Sequence, residues 1–183
     1  MNTFQLTEVM ENDRVAKRTF LGVFPMDMLP KYPIQHRPCS FIVNSAPSTD
    51  EGKHWLAVYI DEDGGGELFD SYGYNANFYD TRLEHFLQRN CNFHVYNTCQ
   101  LQSLLSDVCG QFCLFYLLHR SRGIPADSIV RLFSEKKREN DHLVANFINK
   151  HFPNIIQTHS KAIFNKTMQT VKTRQECLLN CNS

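Results

Sequence analysis

The chain of 183 residues lacks any long hydrophobic run. Its longest, Phe112 to Leu118, falls far short of the roughly 20 apolar residues that a helical bilayer span needs. The N-terminus has no apolar stretch of signal-peptide type, and Glu8, Glu11 and Asp13 stand where one would lie. Net charge is absent too: nineteen basic residues cancel nineteen acidic ones. That removes any global pull toward nucleic acid or an anionic membrane. It leaves one local basic stretch, with Lys161, Lys166, Lys172 and Arg174 and no acid between them, which reads first as a solvated tail. No internal repeat, low-complexity segment or C-x-x-C pair occurs. The seven cysteines follow no framework spacing, and an odd count leaves at least one unpaired within the chain. Together these absences predict a soluble chain with free thiols, made in a reducing compartment.

What is present is ordinary for a globular protein: 42% hydrophobic and 21% charged residues. At this length one domain with a sizeable core is expected. Fourteen phenylalanines predict that rings fill much of it.

The pattern along the chain predicts strands first and helices later. A short helical stretch opens the chain. FLGVFPMDMLP follows, where Pro25 and Pro30 predict irregular backbone. CSFIVN (39–44) reads as a strand. HWLAVYI is apolar on both faces, so a central strand covered on both sides is expected. DEDGGG (61–66) is a strong turn signal, and GELFD returns as the second arm of a hairpin ending at Asp70. Phe78 to Asn90 carries Phe78, Leu83, Phe86 and Leu87 at helical spacing, and 92–98 reads as a further strand. Cys109 to Arg120 is an apolar helix stopped by Gly123 and Pro125. Two amphipathic helices follow. One starts near Pro125, with Ile129, Val130, Leu132 and Phe133. The other starts near Asp141, with Leu143, Val144, Phe147 and Ile148. This order predicts an α+β fold.

Three polar residues stand at the ends of elements, and a fourth, Gln102, lies in the loop before a helix. His54 opens the central strand, and Asp70 closes its hairpin partner. The hairpin brings those ends together, so the carboxylate can fix one imidazole tautomer and stabilise the imidazolium. Cys109 opens the apolar helix, where unpaired N–H groups and positive potential favour thiolate. Gly110 is read as leaving room for a substrate backbone. Gln102, seven residues before Cys109, can join the Cys109 N–H in stabilising an oxyanion. Each residue alone has a plainer reading: a packed histidine, a turn aspartate, an inert buried thiol, an ordinary loop glutamine. Their joint placement favours nucleophilic catalysis with Cys109 attacking and His54 as acid and base.

Several segments resemble the adenovirus protease (adenain) family of cysteine proteases, and more distantly the proteases of ubiquitin-like modifiers. They are FLGVF at Phe20–Phe24, Lys53-His54-Trp55, Leu68-Phe69-Asp70 before Ser-Tyr-Gly, Gln102 at its spacing, and Cys109-Gly110-Gln111-Phe112-Cys113. They run in family order over roughly residues 15 to 155, with Asp70 where adenoviruses usually carry Glu. The resemblance implies a mixed central β-sheet flanked by helices, in a papain-like, adenain-like cysteine protease domain over 1–155. Residues 156–183 form a C-terminal extension in which Cys177 and Cys181 have no assigned role. It implies cleavage of viral precursor polypeptides after small residues, often glycine, with no cofactor or metal needed for the chemistry. It also implies activation by a short viral peptide, through a disulfide to a protease cysteine, and by DNA. The matching position is Cys91, which is equally well read as a helix-end thiol. The location implied is the virion or the host nucleus, with no membrane partner.

Two other activities compete. A deconjugating isopeptidase for ubiquitin-like modifiers would use the same four residues. A zinc module would draw on Cys91, Cys99, Cys109, Cys113 and His119, although structural zinc sites usually show short-spaced cysteine pairs. A catalytically dead binding relative is disfavoured because all four site residues are present.

Overall fold

The computed structural model describes residues 1–155. The expected C-terminal extension, with its basic stretch and Cys177 and Cys181, lies outside the described residues. Five strands form one mixed sheet in the order β1 (Phe20–Pro25), β2 (Cys39–Asn44), β3 (Trp55–Ile60), β4 (Gly65–Phe69) and β5 (Phe93–Tyr96). The two outer pairings, β1 with β2 and β4 with β5, are parallel; the two inner ones are antiparallel. The helices are α1 (Thr3–Asn12), α2 (Ala76–Tyr79), α3 (Thr81–Asn90), α4 (Cys109–Arg120), α5 (Ala126–Val130) and α6 (Lys137–His151). This is the expected α+β arrangement of a mixed sheet flanked by helices.

The alternation in β3 divides the core. Trp55, Ala57 and Tyr59 join Ile42 and Phe69 under α1, α4 and α6. Leu56, Val58 and Ile60 join Phe41, Val43 and Leu68 under Leu83, Phe86 and Leu87 of α3. All six residues of β3 are buried, as its two apolar faces predict. At roughly 1.5–3 kcal/mol for each large apolar side chain buried, these two layers supply the main drive for the fold.

Four local expectations need correction. FLGVFP is a strand, not irregular backbone. Pro25 ends it on the sheet edge, where a missing N–H costs little. The single helix expected over 78–90 is split, because Asp80 is extended (φ −167°) and caps α3 through the Arg82 N–H at 2.8 Å. Phe78 accordingly leaves the core and stacks on Tyr74, ring centroids 4.0 Å apart. The helix after Pro125 stops at Val130, so Ile129 is buried while Leu132 is exposed. The last helix begins at Lys137, ahead of Asp141.

Candidate active site

The β3–β4 register pairs Ala57 with Phe69, leaving His54 and Asp70 just past the paired ends on the same side. The His54 carbonyl accepts the Ser45 N–H at 2.8 Å, which ties this end to β2. His54 Nε2 lies 2.7 Å from Asp70 Oδ1. Asp70 is fully buried and also accepts the Tyr72 N–H (3.0 Å), the Tyr74 N–H (2.8 Å) and the Tyr79 hydroxyl (2.9 Å). Asn97 clamps its backbone from both sides, accepting the Asp70 N–H at 2.8 Å and donating to its carbonyl at 2.6 Å. The imidazole stacks with two tyrosine rings, Tyr72 at 4.8 Å and 27° and Tyr79 at 5.6 Å and 19°.

With Nε2 engaged by Asp70, the imidazole also interacts with the Cys109 thiol, and each shifts the other's pKa. Burial alone would push the His54 pKa down. The hydrogen bonds to Asp70 and Cys109, with their charges, outweigh it and raise the pKa to about 9. Burial raises the Cys109 pKa, and the His54 hydrogen bond and charge, together with the Trp55 backbone N–H, more than reverse that. No side chain caps α4, so its first-turn N–H groups lack intrahelical acceptors beside the sulfur. One turn on, Cys113 is fully buried and desolvation holds it as a thiol, so the two cysteines of the motif differ in kind.

Gln102 is buried, with each end of its amide assigned by chemistry. Nε2 donates to the Ser106 carbonyl at 2.8 Å, a contact only the NH₂ can make, and Oε1 accepts the Ser71 hydroxyl at 2.7 Å. One of its two N–H bonds is used, and the second is unassigned. Gly110 has a different role from the one expected. A Cβ there would meet Leu6 Cδ2 and Met1 Cβ, each at 3.2 Å, so the missing side chain admits the N-terminal segment rather than substrate. Met1 in turn accepts the Trp55 indole N–H at 3.1 Å. A cleft of about 460 Å³ runs among Met1, Phe24, Asn44, Asp50, Lys53 and Trp55, and none of His54, Asp70, Gln102 and Cys109 lines it.

Cys91 ends α3 half-buried, packed against Gly66, and desolvation pushes its thiol up to about 11. Among the described residues no three His, Cys, Asp or Glu side chains converge on a metal-sized site, so the zinc arrangement is not assembled. Among them, too, no helix is long and apolar enough to cross a membrane. Sequence reasoning missed Tyr79, Asn97 and Ser106, and it quoted Ser71 and Tyr72 only within the Ser-Tyr-Gly motif, without a role for either.

The fold is that of viral proteases. Two crystal structures of the ASFV protease match with TM-scores of 0.53 and 0.50 at 18% identity, covering 76% and 77% of this chain and 63% and 64% of theirs. The family model described as adenovirus endoprotease matches residues 20–127, a span that contains His54, Asp70, Cys91, Gln102 and Cys109. The chain belongs to that family. The protease of Porcine adenovirus A serotype 3 is 31% identical over 111 residues, 54% of this chain and 54% of that protein. The matched segment thus spans about half the length of this curated relative.

Proposed function

We propose that this chain is a cysteine endopeptidase whose nucleophile is Cys109. The observation that carries the reading is the 2.7 Å hydrogen bond between His54 and the fully buried Asp70, with the Cys109 thiol shifted down by that same imidazole. A thiol shifted down beside an imidazole shifted up favours a thiolate–imidazolium pair near neutral pH. The thiolate attacks the scissile carbonyl carbon, forming a C–S bond and moving an electron pair onto oxygen. That oxyanion accepts from the Cys109 N–H and the second N–H of Gln102. His54 gives its proton to the leaving nitrogen as the C–N bond breaks. It then takes one from the water that cleaves the thioester. Asp70 keeps the imidazole oriented, and it also accepts two N–H groups of its own loop and the Tyr79 hydroxyl of α2.

The substrates proposed are polypeptides with small residues, glycine above all, at the cleaved bond, in viral precursors processed in the virion or host nucleus. Activation by a short peptide disulfide-bonded to Cys91, and by DNA, belongs to the same reading. Because burial keeps Cys91 as a thiol, its pairing would need the local packing on Gly66 to open.

The test is a thiol-directed probe ending in Gly-Gly, with the labelled residue mapped by mass spectrometry, with and without reductant and DNA. Label is expected on Cys109, none on Cys113, and none in Cys109→Ala. Label on Cys113 with Cys109 untouched would overturn the assignment. Preference for a folded modifier ending in Gly-Gly over viral-type peptides would instead mark a deconjugase.

A further inference from the structure

Two loops carry the proposed catalytic groups other than His54 and Cys109. One follows β4 and holds Asp70; the other follows β5 and holds Gln102. They are laced together along their length. Asn97 grips the Asp70 peptide from both sides, at 2.8 and 2.6 Å. The Ser71 carbonyl accepts two backbone N–H groups, from Leu101 at 2.8 Å and from Gln102 at 3.0 Å. Gly73 (φ +80°) lies so close to the second loop that a Cβ there would meet the Cys99 carbonyl carbon at 2.8 Å. The acid and the oxyanion donor therefore belong to one braced unit.

Ser71 is the joint of that unit. It follows Asp70 directly, and its hydroxyl donates to Gln102 Oε1 at 2.7 Å. Both residues are 1% exposed, so no solvent can substitute for this bond. The Gln102 backbone is fixed by other means: its N–H goes to Ser71 and its carbonyl accepts from Gln100 Nε2 at 2.8 Å. What remains to be set is the carboxamide, which keeps its shape after a half-turn that exchanges oxygen and nitrogen. The Ser106 carbonyl keys the nitrogen, and the Ser71 hydroxyl keys the oxygen. A hydroxyl bonded to an amide oxygen also draws electron density toward it, which makes the N–H groups better donors.

We propose that Ser71 is a positioning residue for the oxyanion donor, its hydroxyl orienting and polarising the Gln102 carboxamide so that the second N–H is presented to the tetrahedral oxyanion. The inference rests on the endopeptidase reading. It adds that consecutive residues, Asp70 and Ser71, serve the two halves of the machinery, one on the imidazole and one on the oxyanion donor. All of the effect of Ser71 on turnover passes through Gln102.

The test is a double-mutant cycle of Ser71→Ala and Gln102→Ala, with turnover counted per folded molecule. Ser71→Ala alone should lower kcat about ten-fold with KM little changed. Added to Gln102→Ala it should change kcat by no more than about two-fold, because the group it serves is gone. The alkaline limb of kcat/KM near pH 9, where His54 loses its proton, should stay in place in Ser71→Ala. A loop merely loosened beside Asp70 would displace it. A peptide aldehyde, whose adduct with Cys109 carries the tetrahedral oxygen, should bind Ser71→Ala about ten-fold more weakly. An uncleaved peptide should bind Cys109→Ala equally with and without Ser71→Ala. A further readout needs no catalysis. In ¹⁵N-labelled protein the Gln102 side-chain amide, recognised by its absence in Gln102→Ala, should exchange its protons with solvent faster in Ser71→Ala. If Ser71→Ala does not fold, Ser71→Cys takes its place in every arm. It keeps the shape with a weaker donor, and an effect of about three-fold is expected. Effects that multiply in the double variant overturn the proposal. So do a rise in KM at constant kcat, a displaced alkaline limb, or an amide whose exchange is unchanged. If the natural chain cleaves and captures nothing while the Gln102 amide responds as described, the endopeptidase reading fails and the Ser71 contact stands.

Discussion

Two carboxylates three residues apart, Glu67 in β4 and Asp70 just past its end, each gather a tyrosine hydroxyl and a nitrogen base, yet they do different work. Glu67 accepts from Tyr116 (2.6 Å) and from Arg120 through Nε (2.7 Å) and Nη2 (3.1 Å), while the guanidinium lies 4.3 Å over the Tyr59 ring. Arginine does not release its proton in proteins, so this cluster is a clamp that fastens the C-terminal half of α4 to β3 and β4. Asp70 accepts from Tyr79 and two backbone N–H groups, but its nitrogen partner is His54, which titrates and interacts with the Cys109 thiol. The donors are alike. What separates a clamp from a reactive site is whether the base can pass its proton on, and to what.

That contrast is broken first at the proposed oxyanion donor. Gln102→Ala should lower kcat by about a hundred- to a thousand-fold with little change in KM, measured by steady-state hydrolysis. A rise in KM at constant kcat would assign Gln102 to ground-state binding and remove it from the mechanism. At the clamp the order of effects reverses. Glu67→Ala leaves a half-buried guanidinium and a buried hydroxyl unpaired, so it should cost roughly 3 kcal/mol of stability in denaturant unfolding. Its turnover per folded molecule should stay close to that of the natural chain at temperatures well below Tm. A large fall in turnover with little loss of stability would show that the two clusters are not separate in role.

The pH profile sharpens the same comparison. The reactive form needs thiolate and imidazolium together. The lowered Cys109 pKa brings thiolate in below its ordinary range, and the raised His54 pKa keeps the imidazolium until about pH 9. kcat/KM should therefore rise along an acid limb set by the coupled pair and fall along an alkaline limb near pH 9. An alkaline limb near 7 would mean that burial, and not Asp70, governs the imidazole.

How much of this was legible in the sequence follows from the range of each interaction. His54, Asp70 and Cys109 could be placed because each stands at an element end that hydrophobic periodicity defines, and a hairpin fixes which ends meet. The two-faced burial of β3 was legible for the same reason. Asn97 and Tyr79 were not, because their contacts depend on where a loop and a parallel edge strand return, which no local spacing encodes. The strand at Phe20–Pro25 was hidden by its proline, harmless on an edge and disruptive anywhere else in a sheet. Gly110 was misread because the neighbour needing its space is Leu6, more than a hundred residues away in the chain and adjacent only after α1 packs.

The smallest effect distinguishes the clusters most directly. Tyr79→Phe deletes one of the four donors to Asp70 and keeps the ring that stacks on His54. A carboxylate with one donor fewer concentrates its charge on the remaining partners, so it holds the imidazolium proton more tightly. The alkaline limb should move upward from about 9 by a few tenths of a unit, kcat should fall a few-fold because His54 gives up its proton less readily, and stability should drop by about 1–2 kcal/mol. Tyr116→Phe makes the equivalent change at Glu67, where the cation cannot titrate. It should cost similar stability and leave the limb where it was. If the limb moves in both variants, the clusters communicate through β4, and the working site extends along the strand to the clamp.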